Sequence, residues 1–114
     1  MVFIKRYNKY KAEKQTFDGR SYHSKKEADY AVQLAWLKKA GEIKEIIPQY
    51  KIKIVVNNIF ICAYIIDFLV TLPDGRKQYI ECKGYETDVW KLKWKLCMAL
   101  KDQIDPGAEW IIVK

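Results

Sequence analysis

Two acidic residues lie inside apolar segments of this 114-residue chain, where a charged side chain is unexpected. Asp67 belongs to the apolar run 59–71, and Glu81 belongs to the shorter segment 77–83, which also carries Lys83. The segment 59–71 is rich in β-branched and aromatic residues, and both segments are predicted to be strands. Burying a carboxylate in a strand is unfavourable unless it is paired or bound to a metal ion. The sequence therefore predicts either a buried ion pair or a metal site.

The spacing of these residues around a turn predicts that they meet. Pro73-Asp74-Gly75 is typical of a tight turn between the two strands, and position 74 is its midpoint. Asp67 and Glu81 are each seven residues from that midpoint, so antiparallel pairing places them opposite one another. Side chains alternate across a strand, so Lys83 shares a face with Glu81. The hairpin therefore brings two carboxylates and one ammonium group together.

The Glu-x-Lys pattern is not informative on its own. It occurs twice, as Glu42-Ile43-Lys44 and as Glu81-Cys82-Lys83. Only the second lies in a predicted strand with Asp67 across the hairpin, whereas the first lies at the end of a predicted helix and is expected at the surface. Position in the fold, rather than the pattern itself, distinguishes the two.

The elements around this hairpin follow from caps, turns and periodicity. Ser24-Lys25-Lys26-Glu27 fits a capping box, in which the Ser and Glu side chains satisfy free backbone amides at a helix start. The helix should run to about Ala40, where Gly41 supplies a left-handed stop. The other predicted elements are a hairpin within 1–23 that turns at Asp18-Gly19, strands at 50–54, 59–71, 77–83 and 109–113, an Asn57-Asn58 turn, and a second helix from about Val89 to Gln103 capped by Thr87 or Asp88.

The order hairpin, helix, three strands, helix, strand predicts an α/β fold around a mixed central sheet flanked by helices. We expect one domain over residues 1–114, with a basic N-terminal arm at 1–23 and a core at 24–113.

The chain is basic, and its excess charge is concentrated near the start. It has 21 Lys and Arg against 14 Asp and Glu, a formal net charge of +7. Residues 1–26 alone carry eight basic and two acidic side chains, and a second basic cluster at 91–101 lies near Trp90 and Trp94. Basic clusters interleaved with aromatic residues are typical of proteins that bind polyanions, most often nucleic acid. A basic surface that serves only solubility is the alternative.

Composition argues against several other classes of protein. An apolar fraction of 50% and an aromatic fraction of 14% are too high for a disordered chain. The apolar stretch 55–66 is too short to span a bilayer as a helix, and we expect a soluble cytoplasmic domain without a membrane partner. Three cysteines without Cys-x-x-Cys spacing argue against a disulfide framework or a zinc knuckle. No glycine-rich phosphate loop occurs, so no organic cofactor is expected, and His23, the only histidine, is not expected to be catalytic.

The chain resembles the PD-(D/E)XK nuclease superfamily. Ile66-Asp67 matches the Pro-Asp element, with isoleucine in place of proline, and Glu81-Cys82-Lys83 matches the (D/E)-x-Lys element. The resemblance is closer still to small phage-encoded nuclease-like proteins, and archaeal-type Holliday-junction resolvases are similar in length and basicity. The resemblance to the PD-(D/E)XK superfamily implies a restriction-endonuclease-like core of order α-β-β-β-α-β over about residues 24–113. Four segments agree with the phage proteins in order, namely Asp18-Gly19, Ser24-Lys25-Lys26-Glu27-Ala28, Gly41-Glu42-Ile43 and Lys83-Gly84-Tyr85-Glu86-Thr87-Asp88.

The resemblance also implies a metal-dependent phosphodiesterase. Asp67 and Glu81 would hold Mg²⁺, for which Mn²⁺ could substitute, with the backbone carbonyl of Cys82 as a third ligand. Lys83 would orient the attacking water. Glu27 corresponds to the acid that the family carries on its first helix, although the capping box already explains a glutamate at this position.

The second predicted helix combines an apolar stripe with basic residues. Lys93 falls within the stripe, and we expect its ammonium group either to point toward the carboxylates or the scissile phosphodiester, or to reach water at the edge of the stripe. Lys91 and Lys95 lie one turn apart on the outer face, where they could contact phosphates. These lysines replace the Gln-x-x-x-Tyr signature of exonuclease-like members, which disfavours an exonuclease. The stripe, expected to face the sheet, consists of Val89, Leu92, Leu96 and Leu100.

The favoured function is a structure-selective DNA endonuclease that acts on branched DNA, as in resolution of a Holliday junction during phage recombination. So small a domain shows no element for reading a long base sequence. Resolution needs two symmetric cuts, so we expect a homodimer, with Ile46, Ile47, Tyr50 and the N-terminal aromatic residues as candidate contacts. The lysines expected to contact DNA are Lys25, Lys26, Lys91, Lys93 and Lys95.

Two other functions remain open at this stage. A double-stranded RNA-binding domain has nearly the same order of elements and reads shape through phosphates and 2′-hydroxyls, but carboxylates facing its ligand would repel it. A degenerate nuclease fold kept for protein interaction is the other, although the intact set of Asp67, Glu81 and Lys83 argues against decay. In either case the charged residues would form a cross-strand ion pair that stabilises the hairpin.

Overall fold

The computed structural model describes residues 15–17, 20–22 and 24–114. The predicted Asp18-Gly19 turn, His23 and the segment 1–14 lie outside the described residues. Within them, β1 and β2 pair antiparallel as a small separate sheet, and the predicted order of elements is confirmed. The elements are β1 (Gln15–Phe17), β2 (Arg20–Tyr22), α1 (Lys25–Lys39), β3 (Glu45–Val56), β4 (Ile59–Thr71), β5 (Lys77–Cys82), α2 (Asp88–Ile104) and β6 (Glu109–Val113).

The main sheet has four strands in the order β3-β4-β5-β6. β3 pairs antiparallel with β4, and β4 pairs antiparallel with β5, while β5 and β6 are parallel. Parallel neighbours need a crossover connection, which α2 provides. The chain therefore forms an α/β fold with a mixed sheet, as the sequence predicts.

The two helices cover opposite faces of this sheet. Successive side chains of β5 point to opposite faces of the sheet. Ile80 and Cys82 pack in the apolar cluster with α1, whereas Tyr79 packs in the apolar cluster with α2. On α1 the buried apolar residues are Ala28, Ala31 and Leu34, and all three pack in the cluster with Ile80 and Cys82. The result is three layers, helix on sheet on helix.

Local signals in the sequence set the ends of the helices and the hairpin turns. Ser24 caps α1, since its Oγ accepts the Glu27 N–H at 3.2 Å, and Gly41 follows the helix with a φ of 82°. Thr87 caps α2 in the same way, its Oγ1 accepting the Trp90 N–H at 3.0 Å. Asn57 and Asn58 both have positive φ and close the β3–β4 hairpin, as their type predicts.

The register of the β4–β5 hairpin agrees with the prediction from turn spacing. Phe68 pairs with Ile80 and Thr71 pairs with Lys77, so the pairs are centred on position 74. Continuing this register by one residue places Asp67 opposite Glu81.

β4 changes face at Asp67, which simple alternation does not predict. Ile66 packs in the cluster beneath α2, whereas Phe68, two residues later, packs in the cluster beneath α1. On β3, Gln49 lies between residues that pair with Phe68 and Ile66, and it has a φ of 54°. A left-handed residue within a strand is unfavourable by about 1 kcal/mol or more. The local irregularity of both strands thus coincides with the acidic residue.

The prediction for the buried face of α2 is wrong in part. Val89 and Leu92 are 56% and 60% exposed, so they do not face the sheet. Trp90 and Cys97 are buried instead, and Trp94 packs beside them. Compared with the predicted orientation, α2 is rotated about its axis so that Trp90 rather than Leu92 faces the sheet. An indole ring buries more apolar area than a leucine side chain, which favours this orientation. Leu96 and Leu100, the other two members of the stripe, are partly buried against the same cluster.

The described residues expected at a dimer contact are partly buried against the apolar clusters of their own chain. Ile46 packs against the cluster beneath α1, and Ile47 and Tyr50 pack against the cluster beneath α2. The exposed apolar side chains of the sheet lie instead on the β3–β4 hairpin, at Val55, Ile59, Phe60, Ile61 and Ile65. No helix in the part of the chain that the structure describes is long and apolar enough to cross a membrane.

The rotation of α2 predicts a contrast between two matched leucine substitutions. Leu34 on α1 is 2% exposed, so Leu34→Ala should leave a cavity and lower the free energy of unfolding by about 2–5 kcal/mol. Leu92→Ala removes an exposed side chain and should change it by less than about 0.5 kcal/mol. Urea unfolding of both variants measures the difference. A loss of several kcal/mol at Leu92 would instead support the stripe predicted from the sequence.

Candidate active site

Four charged side chains are buried at the centre of the molecule. Asp67 is near the middle of β4, Glu81 is in β5, Lys83 follows the end of β5, and Glu27 is in the first turn of α1. Their exposed fractions are 4%, 2%, 5% and 0%, respectively. Charged residues are seldom buried so completely unless they are paired or bind a ligand. These are the four residues that the sequence analysis selected as catalytic.

Glu81 accepts hydrogen bonds from two buried groups. The Tyr64 hydroxyl donates to Glu81 Oε1 at 2.6 Å, and the Lys83 ammonium lies 3.5 Å from Oε2. Burial raises the pKa of Glu81, while the two hydrogen bonds and the charge of Lys83 act in the opposite direction. The carboxylate is therefore fixed at both oxygens.

Asp67 is held by the backbone of the neighbouring strand. The Cys82 N–H donates to Asp67 Oδ2 at 2.8 Å, so the side chain bridges β4 and β5 where the irregularity in β4 occurs. Burial, followed by repulsion from Glu81 and Glu27, raises the pKa of Asp67 to about 8. Asp67 is thus largely protonated at neutral pH unless a cation compensates the surrounding negative charge.

Glu27 acts on this group from the first turn of α1. It adds to the repulsion that raises the pKa of Asp67, which shows that α1 brings its carboxylate within electrostatic reach of the strands. Asp67, Glu27 and Glu81 together also raise the pKa of the buried Cys82 thiol, after burial itself. The three carboxylates therefore all act electrostatically on the residues at the end of β5.

Lys83 is positioned by its backbone and by an aromatic ring. Its N–H donates to the Val113 carbonyl at 2.8 Å, which extends the β5–β6 pairing beyond the strand. Its ammonium lies 4.7 Å from the centre of the Trp90 ring, a cation–π distance. Lys83 thus faces Glu81 on one side and the start of α2 on the other.

Two residues of the site were missed by sequence reasoning. Tyr64 is buried on β4 and bonds Glu81, and Trp90 is buried at the start of α2, where its Nε1–H donates to the Tyr64 oxygen at 3.0 Å. The predicted cap at Thr87 places Trp90 in the first turn of α2, but the sequence pattern did not predict that this turn directs the Trp90 ring toward the sheet. For Tyr64 no sequence signal separates a hydroxyl that bonds a carboxylate from one that reaches water.

The lysines expected to contact DNA differ in their surroundings. Lys91 and Lys95 are exposed on α2, as predicted, and Lys26 lies near enough to Cys82 to act on its thiol. Lys25 is exposed but pairs with Asp29 at 2.9 Å. Lys93 is half-buried and donates to the Ala63 carbonyl at 2.9 Å. Its head group therefore binds the protein backbone of β4 rather than a carboxylate.

The Glu81–Lys83 ion pair does not account for the burial of Asp67. Among the buried side chains of residues 24–114, three carboxylates and one ammonium group are found. The Lys83 ammonium pairs with Glu81, whereas Asp67 accepts the Cys82 N–H. Burying a carboxylate is unfavourable unless a proton, a partner charge or a metal ion compensates it. Either a carboxylate is protonated, as the pKa of Asp67 indicates, or a cation binds.

The chemistry of the donor atoms fits a hard divalent cation. Within residues 24–114 no group of three or more His, Cys, Asp or Glu side chains is arranged so that it could hold a metal ion. The site expected from the sequence needs only two side chains, Asp67 and Glu81, with the Cys82 carbonyl as a backbone ligand. Mg²⁺ typically binds through one or two carboxylates and keeps several waters. The carboxylate and carbonyl oxygens present here are the ligand type that Mg²⁺ and Mn²⁺ prefer.

Comparison with known proteins defines the family. The family described as "Protein of unknown function (DUF1064)" matches residues 7–113, and the chain belongs to it. A comparison with curated proteins gives no match.

The raised pKa of Asp67 predicts how stability depends on pH when divalent metal is absent. Between its unfolded value of 3.8 and about 8, the folded state holds a proton that the unfolded state has released. The free energy of unfolding should therefore fall as pH rises through this window, by up to about 1.4 kcal/mol per pH unit from this group. Asp67→Asn should remove this contribution and be more stable than wild type at pH 8.

Chemical unfolding in EDTA at several pH values measures this dependence. Asp102→Asn is the control, because it removes a carboxylate from the exposed surface of α2. Equal pH slopes for wild type and Asp67→Asn would show that Asp67 is not the group responsible.

Proposed function

We propose that the protein is a metal-dependent endonuclease that hydrolyses phosphodiester bonds in branched DNA. The observation that carries this proposal is the burial of Asp67 and Glu81 on adjacent strands with Lys83 beside Glu81. Burial raises the pKa of both carboxyl groups, and a divalent cation held between them would favour their charged forms. A site of this kind, within a protein of net charge +7, fits a polyanionic substrate whose reaction needs a metal ion.

Each residue has a defined part in the proposed reaction. Asp67 and Glu81 would hold Mg²⁺, and Lys83 would orient the attacking water through its ammonium group. When bound, the metal lowers the pKa of a coordinated water and offsets charge on the scissile phosphate. The water oxygen would lose a proton and form a new bond to phosphorus, the bond to the leaving oxygen would break, and that oxygen would take up a proton in exchange. Glu27 adds negative charge beside Asp67, which favours binding of the cation.

The proposal includes a specific version of the fold. The order from α1 to β6 is the α-β-β-β-α-β order of the restriction-endonuclease-like core, and the sheet order β3-β4-β5-β6 places the acids on adjacent central strands. This arrangement supports the assignment to the PD-(D/E)XK superfamily that the sequence motifs indicate.

Branched DNA is the proposed substrate because the domain has positive charge but no evident element for reading sequence. Lys91 and Lys95 are exposed on the outer face of α2 and are proposed to contact the flanking phosphates, with Lys26 near the site. Resolution of a four-way junction requires two symmetric cuts, so we propose that the active form is a homodimer.

The central test compares two glutamates in the same sequence pattern. Glu81→Gln should reduce cleavage by about 10³-fold or more, since it removes a metal ligand whose contribution is several kcal/mol. Glu42→Gln, in the exposed Glu42-Ile43-Lys44 pattern, should leave cleavage unchanged. The assay uses a labelled four-way junction, a linear duplex with the same arms and a single strand, each with Mg²⁺, Mn²⁺ or EDTA.

The products separate the candidate functions. Metal-dependent paired nicks in the junction only, absent from Glu81→Gln, are the expected result. Cleavage of all three substrates would keep the nuclease and reject the preference for branches. Binding without cleavage under every metal condition would reject the enzyme and favour a nucleic-acid-binding module.

The exposed lysines of α2 generate a separate prediction for binding. Lys91→Ala should weaken binding to junctions of every sequence alike, because a phosphate contact carries no base information. The slope of log Kd against log salt concentration should fall by about one. Lys77→Ala, an exposed lysine at the opposite end of β5 from the site, is the control. Titrations at several salt concentrations with an uncleavable substrate or in EDTA measure both effects, and equal slopes for the two variants would rule out a contact at Lys91.

A further inference from the structure

A chain of buried hydrogen bonds connects α2 to Glu81. The Trp90 indole Nε1–H donates to the Tyr64 oxygen at 3.0 Å, and the Tyr64 hydroxyl donates to Glu81 Oε1 at 2.6 Å. Tyr64 and Trp90 are 4% and 8% exposed, so water does not compete freely for these bonds. The chain crosses from the helix to β4 and then to β5.

The chemistry of the donors fixes the direction of this chain. An indole N–H can only donate, so the Tyr64 oxygen must accept from Trp90. The hydrogen of the Tyr64 hydroxyl is then directed to Glu81 Oε1. A carboxylate that binds a metal needs its own hydrogen bonds to hold its orientation, and such outer partners tune the affinity for the metal.

Trp90 also contacts Lys83, the lysine of the Glu81-Cys82-Lys83 pattern. The face of its ring lies 4.7 Å from the Lys83 ammonium, which in turn lies 3.5 Å from Glu81 Oε2. One indole therefore touches Lys83 through its face and reaches Glu81 through Tyr64. The Thr87 cap fixes the backbone of Trp90 at the start of α2.

We propose that Tyr64 and Trp90 are positioning residues, which hold Glu81 and Lys83 in the geometry that binds the metal and orients the water. This inference rests on the proposed nuclease function. Neither residue contacts the substrate. Trp90 acts on Glu81 through Tyr64 and directly on Lys83.

The protein contains a matched control for Tyr64. The Tyr79 hydroxyl, on the same face of the sheet, donates to Asp105 Oδ2 at 2.9 Å at the other end of α2. Tyr79 is 3% exposed and thus as buried as Tyr64. Tyr64→Phe and Tyr79→Phe therefore each remove one buried phenol hydroxyl that bonds a carboxylate, but only the first bonds a carboxylate of the site.

The first readout is Mn²⁺ binding to the protein alone, measured by calorimetry without DNA. Tyr64→Phe should weaken binding by about 10–100-fold, the usual effect of removing an outer hydrogen bond to a metal ligand. Tyr79→Phe should leave the affinity unchanged. Thermal unfolding of both variants shows whether each is folded, and cleavage of the junction at saturating Mn²⁺ gives kcat separately from metal affinity.

The second readout is the coupling between the two positioning residues. Trp90→Phe keeps an aromatic face for Lys83 but removes the N–H that orients Tyr64. Because both residues act on Glu81 through one chain, the effects of Trp90→Phe and Tyr64→Phe on Mn²⁺ affinity should be less than additive in the double variant. Trp90→Phe alone is expected to weaken Mn²⁺ binding less than Tyr64→Phe does.

The outcomes distinguish failure of this inference from failure of the proposed function. If wild type binds Mn²⁺ and cleaves the junction but Tyr64→Phe behaves like Tyr79→Phe, the positioning role is wrong and the nuclease stands. If the two single variants each weaken Mn²⁺ binding and their effects simply add, the chain from Trp90 through Tyr64 is wrong. If wild type neither binds Mn²⁺ nor cleaves, the proposed function fails, and the positioning role fails with it.

Discussion

Burial of the Asp67 carboxylate, with Glu81 and Glu27 acting on it, is the constraint on which the rest of this domain depends. Glu27, Asp67 and Glu81 come from three different elements, and Lys83 is the single buried cation found beside them among residues 24–114. Burial raises the pKa values of Asp67 and Glu81, and repulsion from Glu81 and Glu27 raises that of Asp67 further, so a proton on Asp67 relieves part of the unfavourable charge. A stable core would not need such an arrangement, because apolar residues of similar size would pack there at lower free energy.

Each layer of the fold is attached to this cluster through a specific contact. α1 contributes Glu27 directly, and its buried residues Ala28, Ala31 and Leu34 pack against the sheet. α2 contributes no acid, but Trp90 connects it to Glu81 through Tyr64 and to Lys83 through the ring face. The backbone N–H of Cys82 ties Asp67 to β5. Changes in helix packing on either face of the sheet are therefore expected to alter the geometry of the carboxylates.

The irregularity at Asp67 shows how the sheet accommodates a charged residue in its middle. Regular alternation would place Ile66 and Phe68 on one face, but they pack beneath different helices. Gln49, on the neighbouring strand, adopts a left-handed conformation at the corresponding position. Unfavourable backbone conformations of this kind persist where the surrounding structure enforces them, often at functional sites. Here the irregularity lies where the Asp67 carboxylate turns to meet the Cys82 N–H.

Much of the fold and the core of the site follow from local sequence signals alone. The caps at Ser24 and Thr87, the turns at Asn57-Asn58 and around Asp74, and the register that sets Asp67 opposite Glu81 all depend on neighbours in sequence, and local spacing is enough to predict them. The rotation of α2 depends instead on which side chains fill the space above the sheet, and large Trp rings displaced the leucine stripe. That rotation alone decided that Lys93 binds a backbone carbonyl and that Trp90 reaches Tyr64. Such contacts join residues distant in sequence, so only packing in three dimensions could determine them.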